Sequence, residues 1–168
     1  MDRNIPGQDD PVIQFLEEID IDSLGSESGL REFLFSYSLP RETVVSLLQR
    51  INPNEKNHVT ILMAFLDPDL EFDFNGVEIA PIIDRIDPNT VIGSYAILVL
   101  QEAGLITEKD ILKLREKIDT HAVAHADRNA EFGSPIQNLI DAGLVEITVP
   151  GLQKPLIIDR TLGIERLN

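Results

Sequence analysis

The chain has no cysteine among its 168 residues. Disulfides, thiolate metal sites and a cysteine nucleophile are therefore excluded, and the composition fits a reducing, cytoplasmic setting better than a secreted one. Long apolar runs are also missing: none reaches the ~18 residues that a membrane span needs. The opening stretch MDRNIPGQDD is too polar and acidic for a secretory or transit signal. No GxGxxG, GxxxxGK[ST] or GxSxG pattern occurs, so phosphate loops and the hydrolase elbow have no sequence support.

Basic residues are scarce. Fourteen Lys and Arg stand against 29 Asp and Glu, a net charge of −15. Residues 1–30 hold eight acids and one base, Arg3, and residues 67–90 hold seven acids and one base, Arg85. Such a field repels phosphate backbones and attracts basic partners, although acidity can also serve solubility alone. Direct nucleic-acid binding is accordingly not expected. The C-terminal helix-and-turn pattern resembles a winged helix, but its helix Pro-Ile-Gln-Asn-Leu-Ile-Asp-Ala carries no base and its wing offers only Lys154.

What is present is an ordinary globular composition, 43% hydrophobic and 26% charged. It suits a flexible acidic arm at 1–10 and a single globular domain over 11–168. Helical spacing predicts short helices from Pro11, from Leu30 to about Tyr37, from Pro40 to Ile51, and over about 54–66, 79–86 and 89–103. A further helix is expected from 108 to about 127, capped by Thr107 and Asp110, and another from Ser134-Pro135 to Gly143.

Two hairpins are expected as well. Apolar and acidic residues alternate on both sides of Asn75-Gly76, pairing Phe74 with Val77 and Phe72 with Ile79. A second hairpin would join Leu144–Val149 to Pro155–Asp159 through a Pro150-Gly151 turn. The fold class read from the sequence is thus α+β, predominantly α: a compact helical domain with a short mid-chain β-hairpin and a C-terminal β-hairpin.

One internal echo is visible. Leu47-Leu-Gln-Arg-Ile-Asn-Pro-Asn54 matches Ile82-Ile-Asp-Arg-Ile-Asp-Pro-Asn89 at an offset of 35, near the period of helix-pair repeats. With no third match near residue 117, the plainer explanation is that Asn/Asp-Pro-Asn stops one helix and starts the next.

His121 and His125, four apart on one helical face, are the candidate metal ligands. Zinc proteases place a glutamate directly after the first His, where this chain has Ala122. Both histidines also continue the apolar seam Ile111, Leu114, Ile118, which predicts two buried or half-buried structural side chains. Neither acidic loop, Asp20–Gly25 or Glu71–Gly76, completes a calcium-binding pattern: the twelfth positions are Arg31 and Ile82.

No cofactor is called for. The expected function is an acidic protein–protein interaction module, an adaptor, chaperone-like subunit or regulator, whose partner has a basic surface. The candidate contact residues are Asp67, Asp69, Asp73 and Glu78, with Phe33 and Tyr37 in the aromatic stretch. The alternatives are a nucleic-acid mimic that blocks a basic DNA- or RNA-binding protein, and a metal-dependent enzyme built on His121 and His125.

Overall fold

The computed structural model describes residues 10–24, 27–146, 156–159 and 163–166. Among these are nine α-helices: α1 (Pro11–Glu18), α2 (Glu27–Ser36), α3 (Arg41–Gln49), α4 (Lys56–Phe65), α5 (Gly76–Arg85), α6 (Val91–Glu102), α7 (Glu108–Glu116), α8 (Thr120–Asn129) and α9 (Pro135–Asp141). Short 3-10 helices occupy Ile21–Leu24 and Pro68–Leu70, and two strands, β1 (Leu156–Asp159) and β2 (Gly163–Arg166), follow α9. None of the described helices is long and apolar enough to cross a membrane. The expected arm lies outside the described residues except for Asp10, whose carboxylate accepts the Val12 N–H at 2.8 Å and caps α1.

Local chemistry sets most helix ends. Thr107 and Asp110 form a reciprocal capping box at the start of α7. Ser134 accepts the Gln137 N–H ahead of Pro135 at the start of α9. The ends of α6 and α9 are the same device written twice, Ala103-Gly104-Leu105 and Ala142-Gly143-Leu144. In each, the glycine has positive φ, and the following leucine returns its N–H to a carbonyl five residues back, Leu105 to Leu100 and Leu144 to Leu139, both at 2.9 Å.

The expected architecture needs correcting at both hairpins. Asn75-Gly76 opens a helix instead of turning a strand. The Asn75 side chain accepts the Glu78 N–H at 3.0 Å, and Glu78 accepts the Asn75 N–H at 2.9 Å. That reciprocal cap starts α5, whose Ile79, Ile82 and Ile83 are buried at helical spacing while Val77 points to solvent. A period of 3.6 prevails over the period of 2 because it buries three isoleucines. At the second hairpin, Leu144 spends its N–H closing α9, and residues 144–146 form no strand. Leu156–Asp159 pairs antiparallel with Gly163–Arg166, Ile158 opposite Ile164; the Pro150-Gly151 turn lies outside the described residues. A third correction concerns the helix expected over 108–127. Its seam breaks because the Asp119 carboxylate accepts the His121 and Ala122 N–H groups and starts α8 afresh.

Residues 1–85 and 86–168 form two compact units. Within the first, α3 packs against both α1 and α5, and α2 packs against α4. Leu34, Val44, Leu47, Leu48, Ile51, Leu62, Phe65, Leu70, Ile79 and Ile82 are fully buried. Phe65, Phe72 and Phe74 add a run of tilted ring contacts with centroids 6.3 and 5.7 Å apart. Arg50 donates to the Leu16 and Ile19 carbonyls at the C-terminal end of α1, satisfying groups that a helix end leaves orphaned. Within the second unit, α9 packs on α6, α8 and β1. There Asn138 donates to the Ser94 hydroxyl at 3.0 Å, both residues being buried.

The internal echo proves more extensive than the matched residues suggest. Asp20, Asn52, Asp87 and Asp119 each follow an isoleucine, and each side chain accepts the N–H two residues on, at 3.2, 3.1, 3.0 and 2.9 Å. The four Asx turns are 32, 35 and 32 residues apart. Within each unit the turns are also tied to more distant residues. Asn54 donates to the Arg85 carbonyl at 2.8 Å. Asn89 donates to the Lys117 carbonyl at 3.0 Å and accepts the Asp119 N–H at 2.7 Å. Between the first two turns the link runs through His58. Each turn opens a module of two α-helices, which makes the helix-pair repeat the better account of the echo.

Candidate interaction surface

Among the described residues of the first unit, His58 is a buried titratable side chain, set on α4 among the buried Val59, Ile61 and Leu62. Its Nδ1 accepts the Asn52 N–H at 2.7 Å, and its Nε2 lies 3.0 Å from Asp22 and 3.8 Å from Glu55. Glu55 is itself held by the Asn52 side-chain amide at 2.7 Å. The ligand atoms of Asp22, Glu55 and His58 lie within 4.8 Å of one another, close enough to share a cation. Hydrogen bonding argues otherwise. Nδ1 needs its lone pair for Asn52, so the neutral ring carries its proton on Nε2 and donates it to Asp22. A metal-bound histidine does the reverse, offering a bare Nε2 and donating from Nδ1. His58 is therefore a clasp between the first two turns. Sequence reading missed it because its partners lie 36 residues back and on a backbone N–H.

The expected metal ligands sit elsewhere. His121 and His125 are both exposed on α8, not buried in a seam. Among the described residues no third histidine or carboxylate brings them into a ligand cluster of the kind seen around His58. Asn129 donates to the His125 carbonyl at 2.8 Å and lies within 3.3 Å of its ring.

The candidate contact acids divide into two pairs. Asp67 caps the 3-10 helix at Pro68 and forms an ion pair with Arg31. Glu78 takes a bidentate bond from Arg41 at 2.8 and 2.9 Å. The Asn75 backbone N–H and then Arg41 hold its carboxyl below the usual glutamate range. Both acids are thus committed to the fold. Asp69 and Asp73 are exposed, as are Glu71, Glu17, Glu18 and Asp20, and none of these six enters an ion pair among the described residues.

Phe33 and Tyr37 stack on one another at 5.3 Å, half-buried on α2 and just after it. Desolvation, followed by the hydrogen bond and charge of Asp10, pushes the Tyr37 hydroxyl above the ordinary phenol range. Larger apolar exposure occurs at Phe15 on α1 and Phe132 after α8.

Comparison with protein-family models, curated proteins and solved structures finds no match.

Proposed function

We propose that this chain is a protein–protein interaction module, an adaptor, chaperone-like subunit or regulator, whose partner presents a basic surface. The observation that carries the reading is the set of exposed acids that enter no ion pair among the described residues: Glu17, Glu18, Asp20, Asp69, Glu71 and Asp73. Arg31 and Arg41 are already spent on Asp67 and Glu78. A net charge of −15 carried on paired helices forms a broad negative field that steers a basic protein toward it. Helix-pair modules offer extended surfaces rather than a single pocket, which suits this role.

The test begins with recovery of bound proteins at low salt, followed by reconstitution with a purified partner. Association rate should fall steeply between about 0.05 and 0.5 M salt, while dissociation changes less. Reversing Asp69, Glu71 and Asp73 to Lys together should weaken binding and leave helicity unchanged. An affinity flat across that salt range would reduce the acidity to a solubilising role and overturn the reading.

A further inference from the structure

Asn75-Gly76 is the one Asn-Gly step in the chain. Having opened α5 rather than a hairpin, it leaves its glycine unexplained. Gly76 does not take positive φ, and a Cβ built on it would meet nothing within 4 Å. Alanine would fit there and is the better helix former. What a bare α-carbon does provide is access: with no side chain beside it, the Gly76 nitrogen can reach the side-chain carbonyl of the residue before. The other groups that such a reaction needs are also at liberty. Both residues are exposed, and among the described residues nothing accepts the Gly76 N–H and nothing holds Asn75 Nδ2.

We propose that Asn75-Gly76 is a self-modification site, where the chain deamidates through a cyclic imide. The Gly76 nitrogen bonds to Asn75 Cγ, and Nδ2 departs as ammonia with the proton that the Gly76 nitrogen gives up. Water then opens the ring at either carbonyl and leaves an aspartyl or an isoaspartyl residue at position 75. One water is consumed, one ammonia is released, and no oxidant or cofactor takes part. The reciprocal cap sets the pace. Ring closure turns the Asn75 side chain away from the Glu78 N–H, so the first turn of α5 must open before the nitrogen can attack. Glu78, held in turn by Arg41, resists that opening by accepting the Asn75 N–H. The isoaspartyl product cannot restore the turn. Its backbone runs through Cβ and Cγ, so the carbonyl that accepts the Ile79 N–H at 3.2 Å becomes a free carboxylate off the main chain. Modification thus loosens the start of α5 and adds an acid to a segment that already exposes Glu71 and Asp73.

The test ages the full chain at neutral pH and maps isoaspartate by peptide mass spectrometry after labelling with an isoaspartyl methyltransferase. Ammonia release is measured in parallel. Position 75 should be modified before any other asparagine of the folded chain. Gly76→Ala should keep the helicity and abolish the reaction at 75. Glu78→Ala should speed it about fivefold, the factor by which losing a helix cap raises the open population. Arg41→Ala, which leaves the cap in place but unbraced, should lie between. The chain unfolded in guanidinium should react fastest, since no turn has to open. Isoaspartate formed at 75 in guanidinium but absent from the folded chain would show that the fold locks the site, and would overturn the proposal. Equal rates in Gly76→Ala and the parent chain would overturn it too, because the attacking group would then not be the unshielded Gly76 nitrogen. A Glu78→Ala rate no faster than the parent's would overturn the gating by the cap.

Discussion

In residues 10–85 like packs on like: α1, α3 and α5 adjoin in sequence, and α2 adjoins α4. In residues 86–146 the same isoleucine-Asx turns recur at Asp87 and Asp119, yet the strongest helix pairing is of α9 across α6. The cause is in the side chains between the turns. The buried face of α6 includes Gly93, Ser94 and Ala96, small enough for α9 to approach closely, and Asn138 reaches across to Ser94. The corresponding helix of the module before it, α4, buries Val59, Ile61, Leu62 and Phe65. A shared turn therefore fixes where modules begin, while side-chain volume decides which helices meet.

Substitutions can break this comparison at several strengths. Phe65→Ala should be the most damaging, costing about 3–5 kcal/mol by denaturant titration because it empties the aromatic centre of the first unit. His58→Ala comes next. It removes the acceptor for Asn52 and the donor to Asp22, and the expected loss is about 2–4 kcal/mol. His121→Ala should stay within about 0.5 kcal/mol, as an exposed site should. Equal losses at the two histidines would show that the turn clasp is ornamental.

Asn138→Ala tests the polar contact in the second unit, with an expected loss of about 1–3 kcal/mol for an unpaired buried group. Asn54→Ala and Asn89→Ala should each cost about 1 kcal/mol, since each ties its turn to a backbone carbonyl about thirty residues on, Arg85 and Lys117. A silent Asn89→Ala beside a costly Asn54→Ala would mean that the ladder operates in the first unit alone. The mildest effect is set by pH. Because the folded-state pKa of Glu78 is lowered, its contribution is fully present above the ordinary glutamate value of about 4.3 and is lost as pH falls through the folded value. Glu78→Gln should flatten that acid limb of the stability curve.

Features written within four or five residues could be read from the sequence. Pro11, Thr107 with Asp110, Ser134-Pro135, Gly104 and Gly143 all act where their chemistry places them, whereas Asp10, read as part of the arm, caps α1. Asn75-Gly76 was ambiguous because the hairpin signal and the Asn75–Glu78 cap share one asparagine, and only burial of Ile79, Ile82 and Ile83 chooses between them. The repeat was half visible. Its proline occurs in the second and third turns but is replaced by Ile21 in the first and Thr120 in the fourth, so only the hydrogen bonds reveal all four. Of the candidate contact acids, Asp67 and Glu78 could not be told from Asp69 and Asp73. Their arginine partners lie more than thirty residues away along the chain.

The uneven spacing of the turns has a consequence for how such a chain can drift. The module from Asn52 to Ile86 is three residues longer than those beside it, and its two helices are joined through 66–75, where the 3-10 helix and the acids Asp67, Asp69, Glu71 and Asp73 lie. Length is thus absorbed in a connection, where insertion disturbs least. The device itself is small: an isoleucine, an Asx, and in the first three modules a third-position side chain, Asp22, Asn54 or Asn89, that bonds a residue about thirty positions on. A connection of another length would leave that device in place and change the charged face the module carries.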